Sequence, residues 1–254
     1  MIIKKILKLK NNKYKIIFDD DVIITYDNVI LDNNLLFKKT LDKDLYNKII
    51  KDTEYYDVYN KCVKYIMKSR KCEKQVVDFL NKFDISDLAK EKIINKLKEI
   101  NLINDIEFVK AYINDKIYLS KNGINKIKKD LLSFNIDQNI IEDELNKIDK
   151  SYLYDILEKL IIKKINSNNK YSNKELRQKL LVEFTNLGYN RDDILNIIDN
   201  NISSDFDVAL KEFNKQYNKL KIKYSGYELK TKLKQKMFSK GFSAEYINDL
   251  IEKI

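Results

Sequence analysis

Apolar residues near the start of the chain follow the short, β-branched spacing that is typical of strands. The predicted strands are 2–9, 14–18 and 22–26, with polar turns at 11–12 and 19–21. Residues 29–31 and 35–37 are predicted to add two further short strands. Because so small a sheet is marginal alone, we expect this strand-rich module, residues 1–40, to pack on the helices that follow it.

The apolar spacing becomes helical from about Thr40. Leu41, Leu45 and Ile49 then lie on one face of a first helix. We expect residues 41–53 to form a connecting helix between the strand-rich module and the remainder of the chain.

Four later segments share one pattern, in which a small residue is followed by an apolar residue four positions on and a leucine four positions after that. The small residues are Cys72, Gly123, Ser172 and Ser225. The apolar residue that follows each of them recurs after 51, 49 and 53 residues. A period in this range indicates a tandem helical array.

Each small residue is predicted to cap the start of a helix. Ser172 with Glu175, and Ser225 with Glu228, fit the capping box, in which the serine oxygen accepts from the third amide and the glutamate accepts from the serine amide. The other two starts are Cys72, which forms a weaker box with Gln75, and Gly123, which caps without a side chain.

Apolar periodicity on both sides of each capped helix predicts one further helix before it and one after it. Glycine or asparagine at the predicted stops permits the left-handed backbone that ends many helices. The chain is therefore predicted to be mainly α-helical, with tandem three-helix repeats that form an elongated curved body behind a small β-rich N-terminal module. The predicted domains are the module 1–40, the connecting helix 41–53, and three-helix repeats at 54–103, 104–148, 149–202 and 203–254.

The residue types present exclude several kinds of chemistry. The chain has 254 residues and no histidine, so histidine-dependent nucleophilic catalysis is excluded, and two cysteines do not complete a zinc site. Its four glycines are too far apart to form a phosphate-binding loop. No run approaches the roughly 20 apolar residues of a membrane span. We expect a cytoplasmic protein that is not an enzyme, holds no cofactor or metal and does not bind membranes.

The formal net charge of +10 favours an acidic or nucleic-acid partner. The candidate partner-binding or DNA-binding residues are Arg70, Lys121, Lys126, Lys128, Lys129, Arg177, Lys179, Lys230, Lys232, Lys234 and Lys236. Arginine in a lysine-rich chain suits bidentate contact with phosphate or carboxylate. Asp105 is predicted to be the N-cap that starts the first helix of the second repeat, and Phe108 and Tyr112 are predicted to be core residues.

Residues 59–147 resemble the RecX family, the bacterial regulators of the RecA recombinase. Three stretches carry the resemblance in the family's order, and they read SRKCEKQV from Ser69, LINDIEFVKAY from Leu102 and GINKIKKDL from Gly123. The chain departs from the family's usual residues at Cys72, Gln75, Val76 and Val109. Residues 150–254 look like further copies of the same unit, as in the longer members of the family.

The resemblance implies a role in DNA recombination, DNA repair and the SOS response. It implies a protein that lies along the groove of the RecA–single-stranded-DNA filament, limits filament growth and restrains ATP hydrolysis. We expect this protein to be a monomer. Contact with single-stranded DNA would be secondary and independent of sequence. Two alternatives stay open, namely a stand-alone nucleic-acid-binding helical-repeat protein and an adaptor that recognises an acidic protein.

Overall fold

The computed structural model describes residues 1–254 and begins with a three-stranded antiparallel sheet. Its strands are β1 (Lys5–Lys8), β2 (Lys13–Ile17) and β3 (Val22–Tyr26), in that order across the sheet. Asn11 and Asn12 join β1 to β2 with φ values of 59° and 55°, a backbone that asparagine tolerates better than most residues. The three strands predicted first are therefore confirmed.

The two further strands predicted at 29–31 and 35–37 are wrong. Residues Asp27–Asp32 form a short helix, α1, and Leu35–Phe37 form a single 3₁₀ turn. Val29, Ile30 and Leu35 are all buried. A short apolar run has the same appearance in a strand and in a buried helical turn, and here the spacing of the buried residues follows the turn.

The sheet packs on the long helix α2 (Lys43–Lys68), as expected for a module too small to be stable alone. Ile16 and Phe18 of the module and Ile49 of α2 belong to one buried cluster. The Tyr26 hydroxyl also donates to Asp57 of α2 at 2.7 Å. Helix α2 runs without a break through residue 53, so the predicted boundary between the connecting helix and the first repeat lies inside it.

Eleven more helices follow α2. They are α3 (Glu73–Leu80), α4 (Asp87–Glu99), α5 (Asp105–Tyr118), α6 (Ile124–Ser133), α7 (Gln138–Asn146), α8 (Lys150–Asn166), α9 (Asn173–Asn186), α10 (Arg191–Asn201), α11 (Phe206–Leu220), α12 (Gly226–Phe238) and α13 (Ala244–Glu252). From α2 onward they form four consecutive triplets, which confirms a mainly helical chain of three-helix repeats with a small N-terminal sheet. The limits of the six predicted domains stay a prediction.

The second helix of each triplet begins one residue after the small residue that the sequence pattern singled out. These second helices are α3, α6, α9 and α12. Both apolar positions of the pattern are buried in every copy, and the pairs are Val76/Leu80, Ile127/Leu131, Leu176/Leu180 and Leu229/Leu233. The repeat in the sequence is therefore a repeat of buried positions in the structure.

Contacts divide the chain into two compact units. The first unit comprises residues 1–108 and 134–136, and the second comprises 109–133 and 137–254. In the first unit, Cys62, Val76 and Ile93 belong to the buried cluster formed by α2, α3 and α4. In the second unit, α8–α10 and α11–α13 enclose two further clusters, which contain Phe184 and Phe213 respectively.

In the second unit, the start of one second helix lies against the end of the next second helix along the chain. The Gly123 amide before α6 donates to the Leu187 carbonyl at 2.7 Å, and the Asn125 amide donates to the Gly188 carbonyl at 3.1 Å. Gly188 has a φ of +89°, and a Cβ built on it would lie 2.3 Å from the Lys126 nitrogen. The close approach therefore requires glycine at residue 188.

The same arrangement recurs at α9. The Ser172 amide donates to the Lys240 carbonyl at 3.1 Å, so the predicted capping box forms only its serine half, in which the Ser172 hydroxyl accepts from the Glu175 amide at 3.2 Å. The predicted box at Ser225 is wrong, because the Ser225 side chain makes no capping bond. The weaker box at Cys72 does form its second half, since the Cys72 amide donates to Gln75 at 3.3 Å.

Aspartates give a second kind of contact between successive triplets. The Glu73 amide at the start of α3 donates to Asp105 at 2.9 Å, and the Asn173 amide at the start of α9 donates to Asp205 at 2.7 Å. Asn104, and not Asp105, accepts from the Glu107 amide at the start of α5. The prediction that Asp105 caps the start of α5 is therefore wrong, because Asp105 instead caps the second helix of the preceding triplet.

Substitution of Gly188 tests the close approach of the two helix ends. Gly188→Ala combines a strained left-handed alanine with overlap against the Lys126 backbone, so we expect a loss of about 3 kcal/mol in the free energy of unfolding. Gly226→Ala is the matched control, because Gly226 has a φ of +52° and open space around it. The control should lose only about 1 kcal/mol. Urea denaturation followed by circular dichroism measures both, and equal losses would contradict the account.

Candidate interaction surface

Three of the basic candidates occupy the same position in successive second helices and tie each one to the third helix of its own triplet. Lys128 of α6 pairs with Glu142 of α7 at 2.8 Å. Arg177 of α9 makes a bidentate pair with Asp199 of α10, at 3.0 and 2.8 Å. Lys230 of α12 donates to the Ile251 carbonyl at 3.4 Å. The two carboxylates, Glu142 and Asp199, have lowered pKa values chiefly because these cations bond to them.

Arg70 also has a partner within the protein. It lies just after α2, and its Nη1 donates to the Glu107 carbonyl at 2.9 Å and to the Glu107 carboxylate at 3.3 Å. The bidentate geometry expected of an arginine is therefore found at Arg177, whereas Arg70 bonds to Glu107 in the first turn of α5. Both side chains remain about half exposed, with 52% and 45% of their surface accessible.

Lys121 and Lys126 lie where α6 meets the end of α9. Lys121 has a φ of +54°, and its carbonyl accepts from the Tyr189 hydroxyl at 3.0 Å. The Lys126 backbone lies against Gly188. The structure therefore uses the backbones of both residues to hold the two helices together.

The remaining candidates are the more accessible ones. Lys129, Lys179 and Lys236 are exposed, and Lys179 pairs with Glu175 at 3.1 Å. Lys232 and Lys234 are half-buried on α12. In the second unit, the exposed lysines Lys129 and Lys236 are the candidates best placed to meet a partner.

Exposed apolar residues on the second helices escaped the sequence analysis. Leu132 of α6, Val182 of α9 and Phe238 of α12 are 41%, 55% and 50% exposed. All three lie toward the C-terminal ends of their helices, on the side away from the buried pairs. The sequence signal for these positions is a further apolar residue outside the buried spacing of each helix, which a pattern of basic residues does not contain. We call Leu132, Val182 and Phe238 the outward apolar set.

A lysine cluster around Tyr171 was also missed. The ammonium groups of Lys179, Lys170 and Lys240 lie 4.7, 5.0 and 5.9 Å from the centre of the Tyr171 ring. Lys170, followed by Lys179 and Lys240, lowers the pKa of the Tyr171 phenol. An aromatic ring among lysines is the kind of surface on which single-stranded nucleic acid stacks.

Lys240 also belongs to a buried ion pair. Its ammonium lies 2.8 Å from Glu212 of α11, whose side chain is only 1% exposed. Burial by itself raises the pKa of Glu212, but the bonds from Lys240 and Gln216 outweigh it and hold the pKa below its ordinary value. Since the Lys240 carbonyl also accepts from Ser172, this residue joins three helices of the second unit.

Phe108 is 6% exposed, in keeping with the predicted core role, and Tyr112 is half-buried with its hydroxyl 3.2 Å from Asp130. Cys62 and Cys72 are buried free thiols, and burial raises the pKa of Cys62 to about 11. At neutral pH the Cys62 thiol is therefore protonated and a poor nucleophile.

No group of three or more histidine, cysteine, aspartate or glutamate side chains is arranged to hold a metal ion. None of the helices combines the length and the apolar character needed to cross a bilayer.

Comparison with known proteins gives a consistent picture. Residues 203–251 match the family model described as RecX, third three-helix domain. The Regulatory protein RecX of Streptococcus uberis is 32% identical over 75% of this chain and 75% of its own. The Regulatory protein RecX of Bacillus pumilus is 27% identical over 99% of this chain and 98% of its own. The crystal structure of a regulatory protein RecX has the same fold, with a TM-score of 0.64 and 21% identity, over 78% of this chain and 100% of that one.

The buried pair makes a testable contribution to stability. Lys240→Met leaves the Glu212 carboxylate buried without its counter-ion, so we expect a loss of about 3 kcal/mol in the free energy of unfolding, whereas Lys236→Met at an exposed site should lose less than about 0.5 kcal/mol. Adding Glu212→Gln to Lys240→Met should recover part of the loss.

The Lys240–Glu212 pair also makes the free energy of unfolding depend on pH. Because the pKa of Glu212 is lowered from 4.5 in the folded protein, its contribution is present above pH 4.5 and is lost as the pH falls below that value. The difference between wild type and Lys240→Met should therefore shrink in acid. Urea titrations between neutral and acidic pH measure it, and a Lys240→Met protein as stable as wild type would contradict the role of the pair.

Proposed function

The chain belongs to the RecX family, and on that premise we propose that it binds the filament that RecA forms on single-stranded DNA and mainly inhibits the recombinase, its ATPase and filament growth. The observation that carries the proposal is the 32% identity to the Streptococcus uberis Regulatory protein RecX over three quarters of both chains. The protein would act as a monomer in the cytoplasm, within DNA repair, recombination and the SOS response.

The proposed mechanism is steric and electrostatic. Second helices that are tied to their third helices, three of which are also capped by the following triplet, present fixed side chains to a partner. Lys129 and Lys236, together with the outward apolar set, would contact RecA. Lys128, Arg177 and Lys230 would act indirectly, because their bonds to α7, α10 and α13 keep these helices in position. A partner that touches several such helices at once gains affinity from each of them.

Single-stranded DNA is proposed as a secondary and sequence-independent ligand. The Tyr171 cluster supports this, because lysines supply phosphate contacts and the ring supplies a stacking surface. The same cluster favours the alternative function of a stand-alone nucleic-acid-binding protein. The two are distinguished by whether binding to single-stranded DNA needs RecA.

RecA ATPase on single-stranded DNA tests the proposal. Micromolar wild-type protein should lower the steady-state rate, and Lys129→Glu combined with Lys236→Glu should raise the concentration for half-inhibition by at least about tenfold, which is about 1.4 kcal/mol of binding free energy. The matched control is Lys43→Glu combined with Lys92→Glu, which makes the same change in net charge at two exposed lysines of the first unit.

The control variant should inhibit like wild type. Equal loss in both variants would mean that net charge alone matters, and no inhibition by wild type at micromolar concentration would contradict the RecA assignment. Fluorescence anisotropy with labelled single-stranded DNA provides the second measurement. Tight binding without RecA at physiological salt, abolished by Lys170→Glu combined with Lys179→Glu, would instead support the alternative function.

A further inference from the structure

The N-terminal sheet has one covered face and one open face. Ile16 and Ile23 are buried in the cluster shared with α2, and the Thr25 hydroxyl lies 2.7 Å from that of Thr53 on α2. Side chains alternate along a strand, so the neighbouring residues Val22 and Ile24 lie on the opposite face. They are 46% and 51% exposed. The face away from α2 therefore presents apolar side chains to solvent.

The strand that carries these residues is also an edge of the sheet. At the opposite side, residues 1–3 bond to the segment 39–41, since the Ile3 amide donates to Lys39 and the Leu41 amide donates to Met1. Strand β3 has no neighbour beyond β2. It is therefore a free edge of the sheet, as is β1 on the opposite side over Lys5–Lys8, but the exposed apolar residues Val22 and Ile24 belong to β3.

The register shows which backbone groups of β3 point outward. The Phe18 amide donates to the Asp21 carbonyl and the Asp27 amide donates to the Asn12 carbonyl, which fixes the alternation of bonded pairs along β2 and β3. Ile24 pairs with Lys15 at a position that does not bond to β2. Its N–H and C=O therefore point across the free edge, where the protein offers them no partner.

The lysines on the open face favour a negatively charged partner strand at the β3 edge. The register places Lys15 between Leu7 and Ile24, and Lys13 beside Tyr26, with the Lys13 ammonium 5.1 Å from the centre of the Tyr26 ring. Two copies of the chain paired edge to edge through β3 would place only like charges on the shared sheet face, with the two β2 strands about 14 Å apart. A strand with carboxylates would instead meet opposite charge.

We propose that the β3 edge and the open face of the sheet form a docking site for an extended acidic and apolar segment of a partner protein. The segment adds to the sheet as a fourth strand and exchanges both backbone bonds with Ile24. Its apolar side chains lie beside Val22 and Ile24, and its carboxylates reach Lys13 and Lys15. The site is on the first unit and does not depend on the proposed contacts of the second unit.

Fluorescence anisotropy of labelled synthetic peptides with the full-length protein tests the site. One peptide alternates valine with glutamate, and a second replaces each glutamate with lysine. Wild type should bind the acidic peptide at least about tenfold more tightly than the basic one. Lys13→Glu combined with Lys15→Glu should reverse that preference, and this reversal needs no backbone change.

A backbone variant separates strand addition from simple charge attraction. Ile24→Pro removes the outward N–H without removing a bond to β2, so it should weaken binding of the acidic peptide at least about tenfold relative to the control Ile24→Thr, which keeps the N–H. Equal binding by these two variants would overturn the proposal, as would an unreversed preference in the lysine variant. Analytical ultracentrifugation provides a further test. If wild type sediments as a dimer and Ile24→Pro sediments as a monomer, the occupant of the β3 edge is a second copy of the chain, and the proposal is overturned.

Discussion

The first amides of a helix have no partner within that helix, and this structure satisfies them with groups from the following repeat. The Gly123 and Ser172 amides bond to carbonyls at the ends of α9 and α12, and the Glu73 and Asn173 amides bond to aspartates that begin the next triplet. The Ser225 side chain, by contrast, makes no capping bond at the start of α12. Three second helices thus depend on their successor for part of their stability.

The basic residues of the repeats fall into two groups, those that hold the repeats together and those that make no such bond. Lys128, Arg177 and Lys230 bond within their own triplets, and Lys240 holds both Glu212 and the start of α9. The partner contacts proposed above involve side chains that the repeats do not need, which are the exposed lysines and the outward apolar set. Substitution of a residue that bonds within the repeats would lower activity even if that residue never touches the partner. The free energy of unfolding must therefore be measured beside each activity.

The sequence predicted the repeats well because their signal is a spacing of buried residues that recurs four times. It predicted Gly188 and Asn135 as helix ends for the same reason, and both have a positive φ. It failed at α1, where a short apolar run suits a strand and a helical turn equally. It also failed at Asp105 and Arg70, because their partners, Glu73 and Glu107, lie more than thirty residues away in the chain and local patterns carry no information about them.

Hydrogen exchange at the starts of the second helices tests the dependence between repeats most directly. Amides in the first turn of a helix exchange rapidly when only water bonds to them. If the repeats depend on one another in this way, the Gly123 and Ser172 amides exchange as slowly as the core amides of α6 and α9, and Gly188→Ala accelerates exchange at Gly123 but not at Ser172. Rapid exchange of both amides in the wild-type protein would contradict this dependence.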